Sequence, residues 1–260
     1  MKVQSFPLPL AAALVLLLLI AVNPGKGIAL TNPIDNENRQ LALPEPAKFF
    51  PKKTSLTVHW MLDSSTISQY IEAATTSKRK TEATKESAKL IEGLFALAGL
   101  DFKSELAQWV GPQISFALFE SDDPNVSFDW IMALSSRDIN LSKRFLGDFW
   151  QRQSLEGIGL DIKNYRGVDL ISSNTTALKE EAISFSTAII NEDLILISSN
   201  KSILKNSLDV SQFTSLNQLG DKDLKQSVQQ LNDGIALVTV STRSLRKLFS
   251  LPLEISQSDE

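Results

Sequence analysis

Residues 128–134 (FDWIMAL) carry apolar side chains on both faces of an extended chain, with Trp130 and Met132 on one and Ile131 and Ala133 on the other. A strand of that kind reads as the middle of a sheet, because an edge or half-solvated strand alternates apolar with polar residues. The runs around it have strand character too. Residues 55–61 (SLTVHWM) place Leu56, Val58 and Trp60 two apart, and residues 114–119 follow as another apolar strand. Residues 159–163 alternate, with Leu160 and Ile162 on one face and Asp161 and Lys163 on the other. Asn164-Tyr165-Arg166-Gly167 reads as the turn that returns the chain into residues 168–171, with Gly167 able to take a positive φ. Residues 183–190 and 194–197 read as a second hairpin around Asn191-Glu192-Asp193, and residues 234–240 as a last strand.

Helical spacing separates these strands. Asp63 or Ser64 can cap a helix with Ile67, Tyr70, Ile71 and Ala74 on one side. After the polar residues 75–89 the stripe resumes at Leu90, Ile91, Leu94, Phe95 and Ala98, with Gly99 suited to the end. Residues 101–110 read as a short helix that Gly111-Pro112 stops, so Trp109 reads as a packed anchor at its end and not as a site. Asp138 or Asn140 caps a helix bearing Leu141, Phe145, Phe149 and Trp150. Asn200 caps another through Leu208, residues 221–231 form one with Leu224, Val228 and Leu231 on a side, and residues 244–249 form a short one. Runs of consecutive strands favour hairpins, so the order predicts an α+β fold, mainly an antiparallel sheet with helices packed on one face.

The N-terminus sets the expected compartment. Lys2 precedes an uncharged stretch, residues 3–22, whose end is almost wholly aliphatic. It reads either as a signal peptide with Gly27-Ile28-Ala29 as a cleavage site, or as an uncleaved anchor. The organisation expected is residues 1–29 as signal or anchor, 30–53 as a linker with Pro33, Pro44, Pro46 and Pro51, 54–250 as the globular domain and 251–260 as a polar tail. The folded part is expected outside the cytoplasm.

The sequence resembles a bacterial, largely cyanobacterial, family known as domain of unknown function 3352. The likeness rests on the N-terminal hydrophobic segment, Phe50-Pro51-Lys52-Lys53 before the first strand, Leu100-Asp101 and Trp109-Val110-Gly111 leading into a strand, FDWIMALSSRDINLSKRFLGDFW, and Tyr165-Arg166-Gly167-Val168 with the hairpin and Asn200-led helix after it. It covers most of residues 45–245. The resemblance implies a membrane-associated, extracytoplasmic α+β protein and brings no catalytic residues with it.

The chain lacks residues that several chemistries need. It has no cysteine, which excludes disulfides, thiolate metal sites and cysteine nucleophiles. A net charge of -4 disfavours nucleic acid as a partner. His59 is the single histidine, so any Ser-His-Asp triad would have to use it. It stands opposite Leu56, Val58 and Trp60 in the alternation and reads as a structural or solvent-facing residue. No nucleophile elbow, phosphate-binding loop or dinucleotide fingerprint accompanies it; Gly157-Ile158-Gly159 enters a strand and reads as a turn. Asp122-Asp123 and Glu192-Asp193 lack the spaced ligands of a calcium loop. Lys78-Arg79-Lys80 is diluted by Glu72, Glu82 and Glu86 and reads as a solvated helix face before a lipid contact. Sequons begin at Asn125, Asn140, Asn174 and Asn200, where caps and turns also use Asn. Trp60, Trp109, Trp130 and Trp150 lie on apolar faces, as core residues do.

No catalytic, cofactor-binding or metal-binding residue is therefore assigned, and no cofactor is expected. The expectation is a non-enzymatic binding or scaffold protein of the cell envelope, in the periplasm or a thylakoid lumen. Its partners would be a membrane through the N-terminal segment and an unidentified protein or lipid. A carrier for an apolar ligand such as lipid or pigment, and a hydrolase using carboxylates, are the alternatives.

Overall fold

The computed structural model describes residues 42–60, 95, 100–121, 128–174, 184–229 and 236–241. The N-terminal hydrophobic segment, the helical stripes expected over residues 67–74 and 90–98 (Phe95 apart), the short helix expected at 244–249 and the polar tail lie outside the described residues. Those described form an α+β fold on one antiparallel sheet, as the element order predicts. Its eight strands are β1 (Leu56–Trp60), β2 (Val110–Glu120), β3 (Phe128–Ser136), β4 (Gly159–Tyr165), β5 (Val168–Asn174), β6 (Ser186–Ile190), β7 (Leu194–Ser198) and β8 (Ala236–Val240). They lie in the order β4-β5-β6-β7-β3-β2-β1-β8. Every neighbouring pair is antiparallel. Helix α1 (Ile139–Leu155) follows β3 and carries the chain to the far edge, from which β4 to β7 return strand by strand. Helices α2 (Lys201–Ser211) and α3 (Lys222–Gln229) follow, and β8 then closes beside β1.

The two faces of the sheet carry different cores. On the first, Val58, Phe116, Trp130, Met132, Ile195 and Ile197 pack with Phe145, Leu146, Phe149 and Trp150 of α1. The aromatic rings form a chain: Trp109 meets Phe145 at 5.2 Å, Phe149 meets Phe185 at 5.7 Å, and Phe185 meets Trp130 at 6.2 Å between centroids. Trp150 adds a buried bond from Nε1 to Thr187 Oγ1 at 2.8 Å. On the second face, Ala117, Ile131, Ala133, Ala188 and Leu196 pack with Leu204 and Leu208 of α2. The helices, expected on one face, are thus divided between both. Strand β7 is buried at every position and β3 at most, so apolar groups point both ways and each side needs a cover.

The second cover includes a segment expected to be linker. Residues Glu45–Phe49 form a short 3-10 helix, and Phe49 and Phe50 are 2% and 0% exposed among the small side chains of the second face. The globular body thus begins before Ser55. Proline-rich composition hid this, because Pro44 and Pro46 here begin a helical turn, a position where proline is tolerated.

Polar side chains at the helix starts serve as caps. Asp138 Oδ1 accepts from the backbone N–H of Asn140 and Leu141 at the start of α1, and Asn200 Oδ1 accepts from Ile203 N at the start of α2. Arg166 (φ 53°) and Gly167 (φ 82°) make the two-residue turn between β4 and β5. At Gly111-Pro112 the outcome is different: a π-helical turn spans Phe102–Leu106, and β2 already starts at Val110, with a bulge between Val110 and Ile114. Proline is admitted there because a bulge interrupts the ladder, and Gln113 N donates instead to Ser135 Oγ at 2.9 Å. Trp109 is 1% exposed, the anchor expected.

Truncating a fully packed phenylalanine leaves a cavity and costs about 3–5 kcal/mol. Phe49→Ala is expected to lower unfolding free energy by that amount in urea titration, whereas a residue in a linker would change it by less than about 0.5 kcal/mol.

Candidate functional site

His59 is the single histidine of the sequence, so its surroundings decide whether a histidine-based site exists. It lies in β1 on the second face, directly paired with Ser115 of β2 and Leu237 of β8. Phe50 stacks on its ring at 5.5 Å between centroids. The ring is fully buried, and so is Ser115.

Two hydrogen bonds hold it. Nδ1 is 2.8 Å from Ser115 Oγ, and Nε2 is 3.0 Å from Gln218 Oε1. Gln218 Nε2 donates onward to Thr54 Oγ1 at 3.0 Å. An amide oxygen can only accept, so Nε2 carries the ring proton and Nδ1 accepts from the Ser115 hydroxyl. Burial away from water lowers the pKa of His59 from 6.5 to about 4, against the opposing pull of the Gln218 bond. The imidazole is neutral at pH 7.

The backbone around Gln218 is fixed with equal care. Gln218 N donates to Phe50 O at 2.9 Å and Lys52 N donates to Leu216 O at 3.0 Å. Asn217 uses both ends of its amide: Nδ2 donates to Val210 O and Phe213 O, each at 3.2 Å, and Oδ1 accepts from Gly220 N at 3.0 Å. At Gly220 a Cβ would stand 1.8 Å from Thr214 O, a backbone atom with nowhere to go, so only glycine fits. These contacts tie the segment after α2 to the segment before β1, and the Thr54–Gln218–His59–Ser115 chain is the seam between them.

The arrangement has the residue types of a nucleophile and its base, but it points the wrong way for catalysis. Ser115 donates to the ring as a nucleophile would, yet its oxygen is sealed under the second-face cover and cannot meet a substrate. The histidine alternation was legible, and the structural half of its reading is the one realised. Thr54, Ser115 and Gln218 were not singled out. A polar residue between Ile114 and Phe116 was a signal for Ser115; Gln218 offered none.

The other sequence candidates fall apart from it. Glu192 and Asp193 sit in an exposed turn, with Glu192 paired to Lys143 at 3.1 Å. Gly157 ends α1 at φ 86°, and Ile158 N donates back to Gln153 O at 3.0 Å, a turn as expected. Trp109, Trp130 and Trp150 are buried and Trp60 partly so, in the first-face core. The Asn200 amide is engaged in its cap and with Asp129 Oδ1 at 2.6 Å. Asp161 lies between Lys201 at 2.5 Å and Lys163 at 3.1 Å, which hold its carboxyl below the ordinary range. Lys78-Arg79-Lys80 and Asp122-Asp123 lie outside the described residues. Among the described residues, no group of three or more His, Asp or Glu is placed to hold a metal ion.

The fold and its buried centre define an α+β protein built on a single antiparallel sheet with a sealed histidine relay. The chain belongs to the family described as protein of unknown function (DUF3352), which matches residues 10–259, the family that the sequence resembles. No curated protein and no solved structure matches it.

The folded histidine takes up a proton only near pH 4, while the unfolded one does so near 6.5. Between those values the unfolded state holds more protons, so stability is fully present above pH 6.5 and falls as pH drops toward 4. The loss is expected to reach roughly 3 kcal/mol. His59→Phe should flatten that part of the pH profile in thermal melts. It should also cost about 2–4 kcal/mol at pH 7, because Ser115 and Gln218 lose their buried partner.

Proposed function

We propose that this is a non-enzymatic binding or scaffold protein of the cell envelope, exported or held at a membrane by its N-terminal hydrophobic segment. The observation that carries the reading is the buried relay. The only histidine in the sequence spends both ring nitrogens inside the core, on Ser115 and Gln218, and stays neutral to about pH 4. Its chemistry is used to join two segments of chain.

A further observation favours a role in contact. Leu155, Ile162, Phe213 and Leu216 are large apolar side chains more than half exposed, at 81%, 66%, 53% and 52%. They offer apolar contact area to another surface. Tethering rests on the sequence, in which residues 3–22 carry no charge.

Cell fractionation of the full-length chain tests this. The protein is expected in the membrane or envelope fraction, cleaved by protease added from the extracytoplasmic side, and released to the soluble fraction when residues 1–29 are deleted. Recovery of the intact chain in the cytosol, or turnover of a substrate by the purified protein, overturns the reading.

A further inference from the structure

Strand β4 stands at one end of the sheet, and among the described residues it pairs only with β5. None of its residues is buried. Leu160 and Ile162 are 38% and 66% exposed on the face that α1 covers, and Leu155, at the end of α1, is 81% exposed. A long edge with apolar side chains is an open template for another strand.

The backbone fixes which positions can accept one. With a two-residue turn at Arg166-Gly167, the flanking pair Tyr165–Val168 exchanges both hydrogen bonds, and such pairs alternate along the ladder. Tyr165, Lys163, Asp161 and Gly159 thus direct their N–H and C=O toward β5. Leu160, Ile162 and Asn164 direct theirs outward.

The side chains then select the occupant. On the second face β4 carries Asp161 and Lys163, one on each side of Ile162 and 3.1 Å apart. A strange edge strand would leave Lys163 facing an unmatched neighbour, which is how edge lysines block unwanted pairing. We propose that the strand added here is β4 of a second copy of this chain, antiparallel about a two-fold axis at Ile162. In that register Asp161 of each copy faces Lys163 of the other, Leu160 faces Asn164, and Ile162 faces itself. All the outward backbone groups find partners. Centring the pair two residues either way, on Leu160 or Asn164, places Asp161 opposite Gly159 or Gly167 and loses both charge pairs. The isologous contact closes on itself as a dimer with one continuous sheet. This pairing stands apart from the scaffold reading, since an enzyme or a carrier could dimerise the same way.

Sedimentation velocity of the full-length chain in mild detergent tests it, with thermal melts to verify that each variant is folded. The wild type is expected in a concentration-dependent monomer–dimer equilibrium. Lys163→Glu and Asp161→Lys should each weaken the dimer about tenfold or more, because like charges then face each other at both symmetric positions. An equimolar mixture of the two should recover a heterodimer, and the double exchange D161K with K163D, made together with Lys201→Glu because Lys201 of the same chain lies 2.5 Å from Asp161, should recover the homodimer. A wild type that stays monomeric, a dimer indifferent to the single reversals, or a failure of both the mixture and the double exchange overturns the proposal.

Discussion

Burial of β3 and β7 from both sides is the constraint on which the rest of the structure depends. Each strand sends apolar side chains up and down, and a sheet with two apolar faces is stable only between two covers. The covers are built differently. Above the first face, α1 supplies large rings that interlock with Trp130 and Phe185. Over the second, alanines and serines leave room, and α2 fills part of it while Phe49 and Phe50 fill more. The burial of those two phenylalanines explains why the chain before β1 turns back onto the sheet.

The sealed histidine follows from the same geometry. Small polar side chains on the second face need partners once covered. His59, Ser115, Gln218 and Thr54 satisfy one another in series, with Nε2 of the ring donating to Gln218 and Nδ1 accepting from Ser115. Where two irregular segments must meet over a sheet, directional bonds fix their register in a way that apolar contact cannot.

The sequence made the strands and the capped helices readable, because each rests on neighbours in the chain. Alternation marks β1 and β4, Arg166-Gly167 marks a turn, and Asp138 and Asn200 mark helix starts. The split of the helices between two faces was less accessible. It was implied by the two-sided pattern of residues 128–134 and yet missed, since runs of hairpins usually leave one side to water. The role of Phe49 and Phe50 was masked by the prolines around them, and the Gly111-Pro112 bulge by the expectation that proline ends structure. The buried relay was half visible: His59 declared its face, but Gln218 is 159 residues away and nothing local points to it.

The placement of β8 has a consequence for how the molecule is made. Thr57 of β1 shares a short hydroxyl contact with Thr239 of β8, 182 residues later. As the chain leaves the ribosome, β1 emerges before β8, and its outer side stays unzipped until the chain between them, β2 to β7 included, has been synthesised. Among the described strands, the sheet is complete only once β8 has paired with β1, a long-range closure of the kind that slows folding.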